Sequence, residues 1–144
     1  MIMISFTYYG EIKGKGRPRF RNTGKFVQTY TDSGTRNYEM SIKEAYLQTN
    51  QESYINPEIP LRLEMKVYHP IPKSVSKKRS KGMLDGLIRP TKKPDVDNIL
   101  KSVCDALNQV AFYDDTQIVE IEATKYYDET PRIEIKISEA NYGK

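Results

Sequence analysis

Apolar and polar residues alternate from the start of the chain, with Ile2, Ile4, Phe6 and Tyr8 set against Met3, Ser5, Thr7 and Tyr9. That period of two predicts a strand running towards Gly10, Gly14 and Gly16. Between Thr35 and about Thr49 the spacing lengthens, so that Tyr38, Ile42, Ala45 and Tyr46 share one helical face, with Asp32, Ser33 or Thr35 as candidate caps. Leu61, Leu63, Met65 and Val67 then alternate with Arg62, Glu64, Lys66 and Tyr68, the clearest half-buried strand of the chain. HPIPKSV ends it, and a short helix is expected around Ser76 to Leu84. Ile99, Leu100, Val103, Cys104, Leu107 and Val110 form one stripe and predict a helix from about Asp97 to Val110. Val119, Ile121 and Ala123 alternate next, and Ile133, Ile135 and Ile137 do so again after a turn at Asp128 and Pro131. These last two runs are expected to pair as a hairpin. The order β, α, β, α, α, β, β predicts an α+β fold, a mixed β-sheet with helices packed on one face.

Neither repeats nor a Pro/Gly/Ser-rich linker divides the sequence, and 144 residues suit a single domain over 1–144 able to bury its own core. One cysteine, Cys104, excludes an intrachain disulfide framework and a multi-cysteine zinc site, and its place on the apolar stripe assigns it to packing. One histidine, His69, excludes histidine-rich metal sites and paired-histidine ribonuclease chemistry within one chain. The N-terminus lacks the features of a secretion signal and no run is long enough to span a bilayer, so a cytoplasmic protein with no membrane partner is expected.

The net charge of +4 says little until its distribution is considered. Lys13, Lys15, Arg17, Arg19, Arg21 and Lys25 form an acid-free run, and Lys73, Lys77, Lys78, Arg79, Lys81, Arg89, Lys92 and Lys93 lead up to Asp95. A charge run is ordinarily a solvated face. Two that bracket a carboxylate cluster point to nucleic acid, with binding that weakens steeply in salt. Phe20, Phe26 and Tyr30 are candidates for stacking on bases, although core packing is the default for an aromatic residue.

The carboxylates lie in KPDVDNILKSVCDAL and FYDDTQI. Aspartate is favoured at a helix start by capping and by the macrodipole, together worth roughly 1–2 kcal/mol, and Asp97 is the expected N-cap. A cap needs one carboxylate, and Asp95 is a second. A calcium loop of the EF-hand type fails, because Ile99, Leu100 and Ala106 stand where it requires an Asp or Asn, a glycine and a glutamate. Magnesium asks for fewer carboxylates and completes its shell with water and phosphate oxygens. Lys101 follows Asp97 by four and can either pair with it or reach a phosphate on the same face. Asp105 extends that face, and Asp114 and Asp115 occupy the connection to the next strand.

KPDVDNILKSVCDALN followed by FYDDTQI resembles the RusA family of Holliday junction resolvases, whose signature is D-x-D-N-x-x-K, then D-A-L, then D-D-x-Q. Here these are Asp95, Asp97, Asn98 and Lys101, then Asp105, Ala106 and Leu107, then Asp114, Asp115 and Gln117. GKGRPRF is similar to the family's K-G-R-P-R segment, and the resemblance covers most of the chain. NQVAFY lacks the glycine often found in that turn of the family. The resemblance implies a homodimeric, magnesium-dependent endodeoxyribonuclease that resolves four-way DNA junctions by paired symmetric nicks in recombination and repair. It implies Asp95, Asp97 and Asp115 as metal ligands, manganese as a substitute for magnesium, Lys101 as the essential lysine and no organic cofactor. On this reading Lys13, Lys15, Arg17, Arg19, Arg21, Lys92 and Lys93 contact branched DNA. The competing readings are a DNA-binding module of the same fold that does not cut, and a magnesium nuclease for other branched DNA or RNA.

Overall fold

The computed structural model describes residues 3–14, 19–22, 24, 27–30, 33–49 and 52–140; of 19–22 and 27–30 the backbone alone is described. Its elements are β1 (Ile4–Tyr9), β2 (Arg19–Asn22), β3 (Val27–Tyr30), α1 (Ser33–Thr49), β4 (Leu61–Pro70), α2 (Lys77–Leu84), α3 (Val96–Leu107), a single 3-10 turn (Asp115–Gln117), β5 (Ile118–Asp128) and β6 (Arg132–Glu139). The fold is α+β. Among the described residues no helix is long and apolar enough to cross a membrane. Ile2, Lys25, Phe26 and Asp32 lie outside the described residues.

Four strands form a mixed sheet in the order β1-β6-β4-β5, with β1 and β4 antiparallel to β6 and β4 parallel to β5. The register aligns the apolar positions into rows. Ile4, Ile137, Leu63 and Ile121 form one row, Phe6, Ile135, Met65 and Ala123 the next, and Tyr8, Ile133, Val67 and Lys125 the third. The first three members of each row are buried. Against this face α1 lays Tyr38, Ile42 and Tyr46, and α3 lays Ile99, Val103 and Leu107, in one continuous core. Each fully buried aliphatic side chain contributes about 1.5–3 kcal/mol, so the rows hold the helices firmly to the sheet. The opposite face is polar; there Arg132 and Arg89 stack 3.8 Å and 4.0 Å from the rings of Tyr68 and Tyr126, which stack on each other.

The expected hairpin of the last two strands does not form. β4 lies between them, and the link from Asp128 to Arg132 crosses its end. That link is long enough: neighbouring strands are about 4.8 Å apart and an extended residue advances about 3.3 Å, so four steps clear one intervening strand. β4 and β6, whose inner faces carry Leu61, Leu63, Met65 and Val67 and Ile133, Ile135 and Ile137, take the centre, where both neighbours seal them. β5 takes the edge, leaving Val119 62% and Ile121 51% exposed where the alternation predicted burial. A parallel β4–β5 pair requires a crossover, supplied by the segment containing α2 and α3.

Smaller corrections follow from local chemistry. β2 and β3 pair as an antiparallel hairpin where no element was expected. β4 runs on through His69 to Pro70, because both residues still pair with β5. The helix α2 forms as expected, capped by the Ser76 hydroxyl, which accepts from Arg79 N at 3.2 Å. α3 ends at Leu107 rather than Val110, since Asn108 is extended and Gln109 takes a φ of 65°.

Candidate active site

The start of α3 carries two of the predicted carboxylates. Asp95, not Asp97, is the N-cap: its backbone is extended, at φ −65° and ψ 152°, and its carbonyl accepts the first helical bond, from Ile99 N at 3.0 Å. Asp97 lies one residue inside the first turn, where the helix dipole favours negative charge. The Asp95 side chain makes no capping hydrogen bond. The Ser76 hydroxyl and the Asp114 carboxylate both cap their helices. Asp95 and Asp97 are both exposed, so neither carboxylate is consumed by the fold.

The loop entering this helix is held from below. Lys125, in the third row of the sheet, donates from Nζ to Lys92 O at 2.7 Å and to Pro94 O at 3.0 Å. Burial depresses its pKa and the neighbouring Lys92 adds to this, while the Asp95 carboxylate opposes it. His69, on the inner face of β4, is 3% exposed, and among the described residues its Nε2 has no hydrogen-bond partner. Burial, helped by Lys125 and Lys92, lowers its pKa to about 4, so the ring is neutral at pH 7. From above, Gly14 presses on the loop: a Cβ there would stand 3.0 Å from both Pro94 Cβ and Asn98 Cγ. The peptide between Lys93 and Pro94 is cis.

The paired aspartates divide their roles. Asp114 caps the 3-10 turn, accepting from Thr116 N at 3.2 Å and from its hydroxyl, and these bonds hold its carboxyl below the usual range. Gln117, 5% exposed, closes the capping box by accepting from Asp114 N at 3.0 Å, and also accepts from Tyr113 N at 2.8 Å. Its amide donates to Asn56 O at 2.9 Å and Ile59 O at 3.1 Å, tying the turn to the segment before β4. Asp115 is exposed. Its charge and that of Asp105 act on Cys104, whose thiol is pushed, chiefly by burial, to about 12. Cys104 is thus an inert core residue, as expected.

Lys101 is exposed and pairs with Asp105 Oδ1 at 3.9 Å, not with Asp97. The predicted residues therefore fall into two groups on one helix. Asp95, Asp97 and the unpredicted Lys125 stand at its start; Lys101 follows Asp97 by about one turn, roughly 6 Å, and Asp105 by about two turns, roughly 12 Å, with the charge of Asp115 reaching Cys104 beside Asp105. Among the described residues no three Asp, Glu, His or Cys side chains are grouped closely enough to hold a metal ion. The sequence signal for Lys125 was available: it is the charged residue that interrupts the apolar face of β5 after Ile121 and Ala123.

Of the predicted DNA-binding residues, Lys92 and Lys93 are exposed in the loop immediately before Asp95, and Lys13 is exposed and 3.9 Å from Glu11. Arg19 and Arg21 lie on β2, with Phe20 between them and Tyr30 on β3. Lys15 and Arg17 lie outside the described residues.

Residues 10–138 match the family model described as Endodeoxyribonuclease RusA. The chain is 39% identical over 143 residues to protein YqaN of Bacillus subtilis (strain 168), covering 98% of this chain and 99% of that one. It is 33% identical over 114 residues to the Crossover junction endodeoxyribonuclease rusA of Lactococcus phage r1t, covering 78% and 79% respectively.

Proposed function

The chain belongs to the RusA family of endodeoxyribonucleases, and from that premise we propose that it resolves four-way DNA junctions by paired nicks, using magnesium held by Asp95, Asp97 and Asp115. The observation that carries this reading is the free carboxylate of Asp95. An N-cap aspartate ordinarily spends its side chain on the first turn, and this one does not. Asp97 is exposed in the same first turn, and Asp115, exposed further along in the 3-10 turn, belongs to the same family signature, whereas Asp114, the other member of its pair, is committed to capping.

The donor chemistry suits the ion, and one ion is served by all three carboxylates only if Asp115 is drawn towards the start of α3. Carboxylate oxygens are hard ligands that favour magnesium or manganese over metals preferring thiolate or imidazole. When bound, the ion supplies Lewis-acid charge and an acidified water for phosphodiester hydrolysis. The protein's own share is placement and charge. The dipole of α3 adds positive potential at its N-terminus, where a phosphate would lie. Lys92 and Lys93, next to Asp95 in sequence, attract the backbone that the carboxylates alone would repel. Lys101, on the exposed side of the same helix, is free to exchange Asp105 for a phosphate oxygen, since an exposed pair at 3.9 Å is worth little. A homodimer suits the approximate two-fold symmetry of a junction, because an isologous pair presents two equivalent sites for two nicks. Selection among DNAs would then rest on shape and on opened base steps.

Cleavage of a synthetic four-way junction, beside linear duplex and fork controls with and without magnesium, tests the proposal. Paired, magnesium-dependent nicks in the junction alone are expected. Binding without nicks, or equal cutting of linear duplex, rejects it.

A further inference from the structure

We propose that Lys125 is a positioning residue of the hydrolytic site, pinning the loop Lys92–Pro94 to the sheet so that Asp95 enters α3 in the orientation its function needs. The inference rests on the reading of Asp95 as a metal ligand. Lys125 closes the third cross-strand row, after Tyr8, Ile133 and Val67, at a place where the register offers a fourth apolar position. Lys125 is half-buried there, and covering even part of a lysine is costly unless its ammonium is used. It is used on backbone: Nζ meets Lys92 O at 2.7 Å and Pro94 O at 3.0 Å, two carbonyls flanking one residue. Those bonds take two of its three donors, and the ammonium also feels the charge of Asp95.

The strut is itself braced. The Lys125 carbonyl accepts from Arg89 Nε at 2.5 Å, and Arg89 stacks 4.0 Å from the neighbouring Tyr126 ring. Lys125 is thus the end of a hydrogen-bonded path from the sheet to the residue before Asp95. Lys101, the lysine of the family signature, is exposed on the helix and holds no part of this loop. The two lysines are therefore not interchangeable. A site displaced by about 1 Å can lose about 100-fold in rate without losing its substrate.

Lys125→Met keeps most of the side-chain volume and removes the donors; Lys125→Arg keeps charge and donors. Three quantities distinguish the cases: the single-turnover nicking rate at saturating enzyme with magnesium, junction affinity without metal, and amide hydrogen exchange over residues 92–98. Lys125→Met is expected to lower the rate about 100-fold, to hold junction affinity within about twofold of wild type and to speed exchange in residues 92–98 while the sheet stays protected. Lys125→Arg is expected to recover at least about tenfold of that loss. Unchanged exchange in the loop, a wild-type rate in Lys125→Met, or a loss confined to affinity overturns the role. Asp95→Asn is the control: if it nicks at the wild-type rate, the metal-ligand reading itself is wrong. If it is inactive while Lys125→Met is not, the Lys125 inference alone falls.

Discussion

Gly14 lies against Asn98 so closely that a Cβ at Gly14 would stand 3.0 Å from the Asn98 side-chain carbon Cγ and closer still to its amide nitrogen. The basic N-terminal arm and the D-x-D-N motif, more than 80 residues apart, thus touch at a position without a side chain. Gly14→Ala must push either Asn98 or the arm aside. We expect a destabilisation of about 1 kcal/mol, at the low end for overpacking, and a roughly tenfold slower nicking rate from the displaced loop. Urea unfolding beside single-turnover nicking checks both, and wild-type values in each would show that the contact yields freely.

The two adjacent aspartates are expected to separate under the same substitution. Asparagine caps as well as aspartate, so Asp114→Asn should preserve the turn and most of the nicking rate. Asp115→Asn and Asp97→Asn remove proposed metal ligands, and should cost more than the 10–100-fold loss typical of groups that only support a ligand, about 1,000-fold. Junction affinity without metal should stay near wild type in all three. Equal activity of the Asp114 and Asp115 variants would contradict the division.

His69 should make stability depend on acid. Its pKa is about 4 in the folded protein against an ordinary 6.5, because burial and the neighbouring Lys125 and Lys92 disfavour the charged ring. The unfolded chain therefore binds a proton that the folded chain refuses. The contribution is complete above pH 6.5 and is lost as pH falls towards 4, amounting to about 3 kcal/mol over that window. Urea unfolding from pH 7 to 4.5 should show a steeper loss for wild type than for His69→Gln, in which nothing titrates at that position. Parallel curves would mean that the ring charges without penalty.

The basic arm should act on affinity rather than on chemistry. Arg17→Ala and Arg19→Ala are each expected to weaken junction binding and to lower the slope of log affinity against log salt by about 0.9 per lost phosphate contact. Titrations over a range of salt concentrations measure this. A change in saturated turnover with affinity intact would show that these arginines serve the reaction instead.

Periodicity along the chain determined a good deal by itself. The half-buried strand at Leu61–Val67, the helix carrying Ile99, Val103 and Leu107, and the inert packing of Cys104 depend on near neighbours in sequence, and a stripe of apolar residues can be buried in only one way. The D-x-D-N-x-x-K and D-D-x-Q patterns identified the family for a similar reason, since several polar residues must coincide at fixed offsets. Tertiary structure alone decided which strand stands beside which. A three-residue link between β5 and β6 permits a hairpin, but two strands with unbroken runs of buried aliphatic residues from Leu61 to Val67 and from Ile133 to Ile137 on their inner faces gain more from the centre of the sheet, and β5, with Lys125 in its inner row, tolerates the edge. The same placement brought Lys125 beneath the loop of Asp95 and set Gly14 against Asn98. Contacts of this kind join residues tens of positions apart, and local alternation carries no record of them because it reports which face a side chain takes, not what lies opposite.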